Sequence, residues 1–121
     1  MIASQVLDAS LNYLINNTSH FYLCNNFPTT YNEAVNTYML AVKAGPSFSG
    51  PFDDGNGGRY ITLDAITDGV ATNTGTAAYV VLVDEASSNV LRVKTLDIPE
   101  EVTASQPFTT TAMDLGISLV S

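Results

Sequence analysis

From Arg59 onward the chain is a series of short apolar segments divided by turn residues, with no helical periodicity between them. Consecutive strands so closely spaced pair antiparallel, because a parallel return needs a crossover of a dozen or more residues. Ile61, Leu63 and Ala65 alternate with Tyr60, Thr62 and Asp64, the pattern of a strand with one face in a core. Ala77 to Val83 is apolar on both parities, which predicts a central strand covered on both faces. Asp84 to Ser88 forms a turn into Val90–Thr95, a hairpin with Leu91 and Val93 inward and Arg92 and Lys94 outward. Thr67-Asp68-Gly69 and Asn73-Thr74-Gly75 read as turns around a short segment. Pro99 and Glu100-Glu101 break the pattern, and Met113, Leu115, Ile117 and Leu119 keep one parity over a last strand. The expected fold is mainly β: an antiparallel β-sandwich or barrel-like domain with an N-terminal amphipathic helix.

The helix comes from Leu7, Leu11, Leu14 and Ile15, which recur at helical spacing with Ile2 and Val6 extending the stripe. It is expected over roughly residues 3 to 16, ended by the Asn-Asn-Thr-Ser run. His20 to Cys24 reads as a short aromatic strand. Thr30 followed by Glu33 is a capping-box pattern that starts one or two helical turns. Thr37 to Lys43 suits a strand, with a continuing helix as competitor. Residues 45–58 hold so many Gly, Pro, Asp and Asn that a long exposed loop is expected. The 121 residues thus form a single domain: an N-terminal helical segment 1–17, a short strand and helix-or-strand segment 18–44, the loop 45–58 and a β-rich half 59–121.

Twelve Asp and Glu against four Lys and Arg give a net charge of −8, which repels a polyanion and argues against nucleic acid as a partner. The N-terminus has no basic stretch and no unbroken apolar run, so neither a signal peptide nor a membrane partner is expected. The single cysteine, Cys24, sits among Phe21, Tyr22 and Leu23 and reads as a small buried side chain. A hydrolase would have to be built around His20, the one histidine, and no nucleophile-elbow sequence accompanies it. Asp53-Asp54-Gly55-Asn56-Gly57 offers oxygens to calcium but lacks EF-hand spacing, so it reads as a solvated turn. Gly55-Asn56-Gly57-Gly58-Arg59 precedes a strand rather than a helix, which removes the phosphate-loop reading. No catalytic residue, metal site or cofactor is called for.

Several stretches resemble a family of small virion proteins of tailed bacteriophages. They are Gly58-Arg59-Tyr60-Ile61-Thr62, the run from Gly75 to Asp84, Val90-Leu91-Arg92-Val93, Met113-Asp114-Leu115-Gly116-Ile117, the N-terminal helix and Pro28 to Ala34. The resemblance implies a non-enzymatic β-domain made in the host cytoplasm and carried on the outer capsid surface. Its role would be that of a decoration (cement) protein, binding the major capsid protein or other virion proteins and forming a homo-oligomer. The alternative it leaves is a tail-associated or host-recognition module, with a small hydrolase behind both. In this setting Phe48 and Phe52 are candidate anchors for a partner pocket, flanked by Asp53, Asp54 and Arg59. The bland reading of the two phenylalanines is that they fold back over the end of the sandwich.

Overall fold

The computed structural model describes residues 4–53, 55 and 58–117. Helix α1 (Ser4–Asn17) is followed by β1 (His20–Cys24), a π-helical turn (Glu33–Thr37) and β2 (Met39–Ala44). Then come β3 (Phe48–Asp53), β4 (Arg59–Leu63), β5 (Ile66–Ala71), β6 (Gly75–Asp84), β7 (Asn89–Val102), β8 (Pro107–Thr110) and β9 (Met113–Ile117). They form a six-stranded sheet in the order β7-β6-β1-β2-β5-β8 and a three-stranded sheet in the order β3-β4-β9. Every pairing is antiparallel, as short connections require.

The main core lies between the two sheets. Leu11 and Leu14 of α1, Phe21 and Leu23 of β1, Val80 and Leu82 of β6, and Ile61, Leu63 and Leu115 of the small sheet close on one another there. Each of these side chains contributes about 1.5–3 kcal/mol by leaving water. On the outer face of the large sheet Cys24, Ala34, Val81 and Val83 form a second cluster, covered by Tyr31, Val35 and Tyr38 from the π-helical connection. Strand β6 is therefore buried on both faces, as its uniform apolarity predicts.

Local chemistry explains how the first half enters this frame. The Asn17 side-chain amide donates to the Tyr13 carbonyl at 2.9 Å, and Thr18 N–H donates to Leu14 O at 3.0 Å, which satisfies one of the carbonyls left open at the end of α1. Glu33 N–H donates to Thr30 Oγ1 at 3.1 Å, while the Glu33 carboxylate accepts from Thr29 N–H at 2.8 Å. The reciprocal bond of the capping pattern thus reaches one residue further back than expected. Hydrogen bonds from Thr29 hold the Glu33 carboxyl below its usual range. The turn widens because Tyr38 N–H donates to Glu33 O, five residues back, at 2.8 Å, and the chain then passes straight into β2.

Four expectations need correction. Residues 45–58 are not one long loop: Phe48–Asp53 is a strand, and its turn formers concentrate in the register shift between Ser49 and Phe52, where Gly50 takes a φ of 112°. Thr67-Asp68-Gly69 lies inside β5, with Gly69 opposite Phe108 of β8. A Cβ at Gly69 would stand 2.1 Å from the Phe108 ring, so this glycine makes room for an aromatic side chain rather than for a turn. Pro99 and Glu100-Glu101 do not end β7. Between the pairs Tyr79↔Thr95 and Ala77↔Glu100 the strand carries Leu96, Asp97, Ile98 and Pro99 against Ala78 alone, so it arches away and rejoins.

The fourth correction concerns Arg92 and Lys94, which lie opposite Leu82 and Val80, both members of the main core. The register shifts between Leu82 and Val83, so Val83 pairs with Val90 and Leu91 is the extra residue. That bulge turns Val93 to the second cluster and brings both cations to the inner face of the sheet.

Candidate interaction surface

The five residues singled out from the sequence fall around β3 and the start of β4. Phe48 is half-buried and packs against the main core, opposite Leu63. Phe52 is 43% exposed, and its ring lies 5.4 Å from that of Tyr60 across the strand pair. Asp53 is exposed and accepts the Gly55 N–H at 2.8 Å, an Asx turn. Asp54 lies outside the described residues. Arg59 donates from Nε to Asp8 Oδ1 at 2.7 Å and from its terminal nitrogen to Asp8 Oδ2 at 3.3 Å, in the forked geometry that suits a carboxylate. The Asp8 hydrogen bond raises the already high guanidinium pKa further. Arg59 is thus occupied in tying α1 to the small sheet.

What remains free at this end is the aromatic pair Phe52–Tyr60 beside the outer edge of β3, which ends the three-stranded sheet. An open strand edge offers unpaired backbone donors and acceptors, and an exposed phenylalanine held against half-buried Tyr60 beside it offers apolar area at small entropic cost. Tyr60 was legible as an outward residue from the alternation Tyr60, Ile61, Thr62, Leu63. Asp8 carries no sequence mark of its role, since its partner stands 51 residues away.

His20 has company that the sequence did not announce. Its Nδ1 lies 2.9 Å from Ser19 Oγ and 3.3 Å from Glu85 Oε2. A relay needs the hydroxyl and the carboxylate on opposite ring nitrogens, whereas both here converge on Nδ1. The hydroxyl is also engaged elsewhere: it accepts Glu85 N–H at 2.9 Å and donates to Val83 O at 3.3 Å, fastening the β6–β7 turn to the start of β1. Cys24 is buried, its thiol donates to Ala34 O at 3.4 Å, and burial pushes its pKa up to about 12. Among the described residues no cluster of three or more His, Cys, Asp or Glu is placed to hold a metal ion, and no helix is long and apolar enough to cross a membrane.

Compared with protein-family models, curated proteins and solved structures, the chain has no significant match in any of the three.

Proposed function

We propose that this chain is a non-enzymatic virion structural protein of a tailed bacteriophage, acting as a capsid decoration protein on the outer surface of the head. The observation that carries the reading is the edge of β3, unpaired among the described residues, with exposed Phe52 packed on half-buried Tyr60 beside it, on a sheet anchored to the core by Ile61, Leu63 and Leu115. Such an edge suits docking of a strand or loop from the major capsid protein, with the aromatic pair as the centre of the contact. The likeness of several segments to small virion proteins supplies the setting, and the charge of −8 disfavours contact with packaged DNA. Mechanically, many copies joined to the shell and to one another make a strong assembly from modest contacts, because each further attachment is intramolecular.

Copy number tests the reading. Quantitative mass spectrometry of purified particles should find this chain in hundreds of copies, and shells lacking it should rebind the wild-type protein but bind Phe52→Ala about tenfold more weakly. A few to a few dozen copies per particle would transfer the chain to the tail, and absence from particles would end the proposal.

A further inference from the structure

The chain holds four Lys and Arg. Arg59 is bound to Asp8, and Lys43 to Asp68 at 3.0 Å. Arg92 and Lys94 have neither an ion pair nor a hydrogen bond among the described residues, although twelve carboxylate side chains are available in the sequence. Both cations sit on the inner face of β7, two residues apart, in the strand that ends the six-stranded sheet.

Arg92 lines an open groove of about 420 Å³ between α1 and β7, together with Leu11, Tyr13, Leu14, Val90 and Leu91. Among the described residues no acidic side chain lines it. Burial lowers the pKa of the Arg92 guanidinium, with no carboxylate nearby to offset the cost. Lys94 lines the next groove along β7, of about 250 Å³, with Leu23 and Leu96 as its apolar wall. Asp97 and Glu100 border this second groove without pairing to Lys94, and Thr110 Oγ1 is buried at it without a hydrogen-bond partner. A strongly acidic protein therefore keeps its two unpaired cations on an apolar ledge beside a free strand edge. Removing charge from water without a partner is costly, and a carboxylate brought by another molecule would relieve it.

We infer that the α1–β7 groove and the adjoining β7 edge form a docking site for an extended segment of a partner protein carrying two carboxylates two residues apart. The spacing follows from strand geometry: side chains at i and i+2 share a face, so an acidic-apolar-acidic strand laid along β7 sets its carboxylates against Arg92 and Lys94. The residue between them faces the side of Val90 and Val93, which is apolar. A leucine on the acidic face beyond the carboxylate at Arg92 faces the groove lined by Leu11 and Leu14, and one beyond the carboxylate at Lys94 faces Leu23 and Leu96. Backbone pairing with β7 supplies affinity, and the charges supply register.

The probe is the capped peptide Ac-Leu-Thr-Glu-Val-Glu-Thr-Leu-NH2, titrated into the full ¹⁵N-labelled chain and followed by NMR. Amide shifts confined to residues 88–98, 10–14 and the neighbourhood of Leu23 are expected, with the double-glutamine peptide binding at least tenfold more weakly. Arg92→Gln should lose the same factor, while Arg92→Lys retains most of the affinity and shows that the site survives substitution. Equal binding of the glutamate and glutamine peptides would overturn the inference, and so would shifts elsewhere on the molecule or none at millimolar peptide. Sodium octanoate serves as a small carboxylate: if it shifts the groove while the peptide does not, the groove takes a small amphiphile and the peptide site is refuted.

Discussion

Gly69→Ala is the sharpest test of how the sheet edge at β8 is held. Gly69 pairs directly with Phe108, and an added methyl would lie 2.1, 2.2 and 2.6 Å from Cε1, Cζ and Cδ1 of that ring. The ring cannot simply retreat. It is 7% exposed, its centroid lies 6.2 Å from that of Phe21 at an interplanar angle of 18°, and Phe21 is itself wholly buried. If the ring is squeezed in place the cost is that of overpacking, about 1–3 kcal/mol. If it is expelled, the loss approaches the roughly 3–5 kcal/mol of deleting a buried phenylalanine. A destabilisation of about 2–4 kcal/mol is therefore expected, a large part of the 5–15 kcal/mol typical of a domain. Urea unfolding would show it as a lower midpoint at unchanged slope. Phe108→Leu, which shortens the offending side chain, should make the alanine at 69 cheaper by at least about 1 kcal/mol than in the parent, a coupling expected only of groups in contact. A Gly69→Ala variant within about 0.5 kcal/mol of the parent, or a purely additive double variant, would refute the idea that this glycine exists to admit the ring.

Burial of Cys24 makes stability fall in alkali. The folded thiol titrates at about 12 against an ordinary value of 9.0, so between those pH values the unfolded chain loses a proton that the folded chain keeps, and stability declines by up to about 1.4 kcal/mol per pH unit. Urea titrations from pH 8 to 11 should show this slope, Cys24→Ala should flatten it, and native thiol labelling at pH 8 should run on the order of a thousandfold slower than in the unfolded chain. Arg92→Met keeps the aliphatic stem and removes the unpaired charge, so it should raise Tm by about 2–4 °C by differential scanning calorimetry, and a fall would give the guanidinium a structural role. Asp8→Asn, which removes the anionic partner of Arg59, should speed hydrogen exchange in α1 while leaving the amides of β1 and β6 protected, because the pair joins α1 to β4 and takes no part in the large sheet.

The parts of the fold that could be read in the sequence are those where one periodicity acts alone. The α1 stripe Leu7, Leu11, Leu14 and the doubly apolar β6 each specify both an element and its burial, because no other arrangement hides those side chains. Residues 45–58 misled for a physical reason: glycine and proline mark irregular backbone, and a strand with a register shift needs irregular backbone as much as a loop does. Phe48 and Phe52, both visible as unusual, are separated only by that shift, which sends one toward the core and leaves the other outside. The strand order, with β1 inserted between β6 and β2, is set by contacts across some 60 residues and leaves no local trace.

The two cations of β7 and the grooves they line were hidden by a single extra residue. Alternation along Val90–Lys94 assigns Arg92 to the face opposite Leu91, and without Leu91 as a bulge the register from Val83↔Val90 would set it on the outer face, opposite Val81. With the bulge, strand β7 changes face midway: Val90 and Val93 serve the outer cluster, while Leu91 and Leu96 pack against the main core. A straight β7 would turn its cations to the outer face, where Val90 and Val93 now pack. The bulged one places them on the inner face beside an open edge, where a charge without a partner is costly for an isolated chain. Bulges next to functional sites commonly re-aim a side chain in this way. The cost falls away once a carboxylate arrives from outside, so the same residue that defeats the sequence pattern is the one that gives β7 its capacity to select an acidic partner.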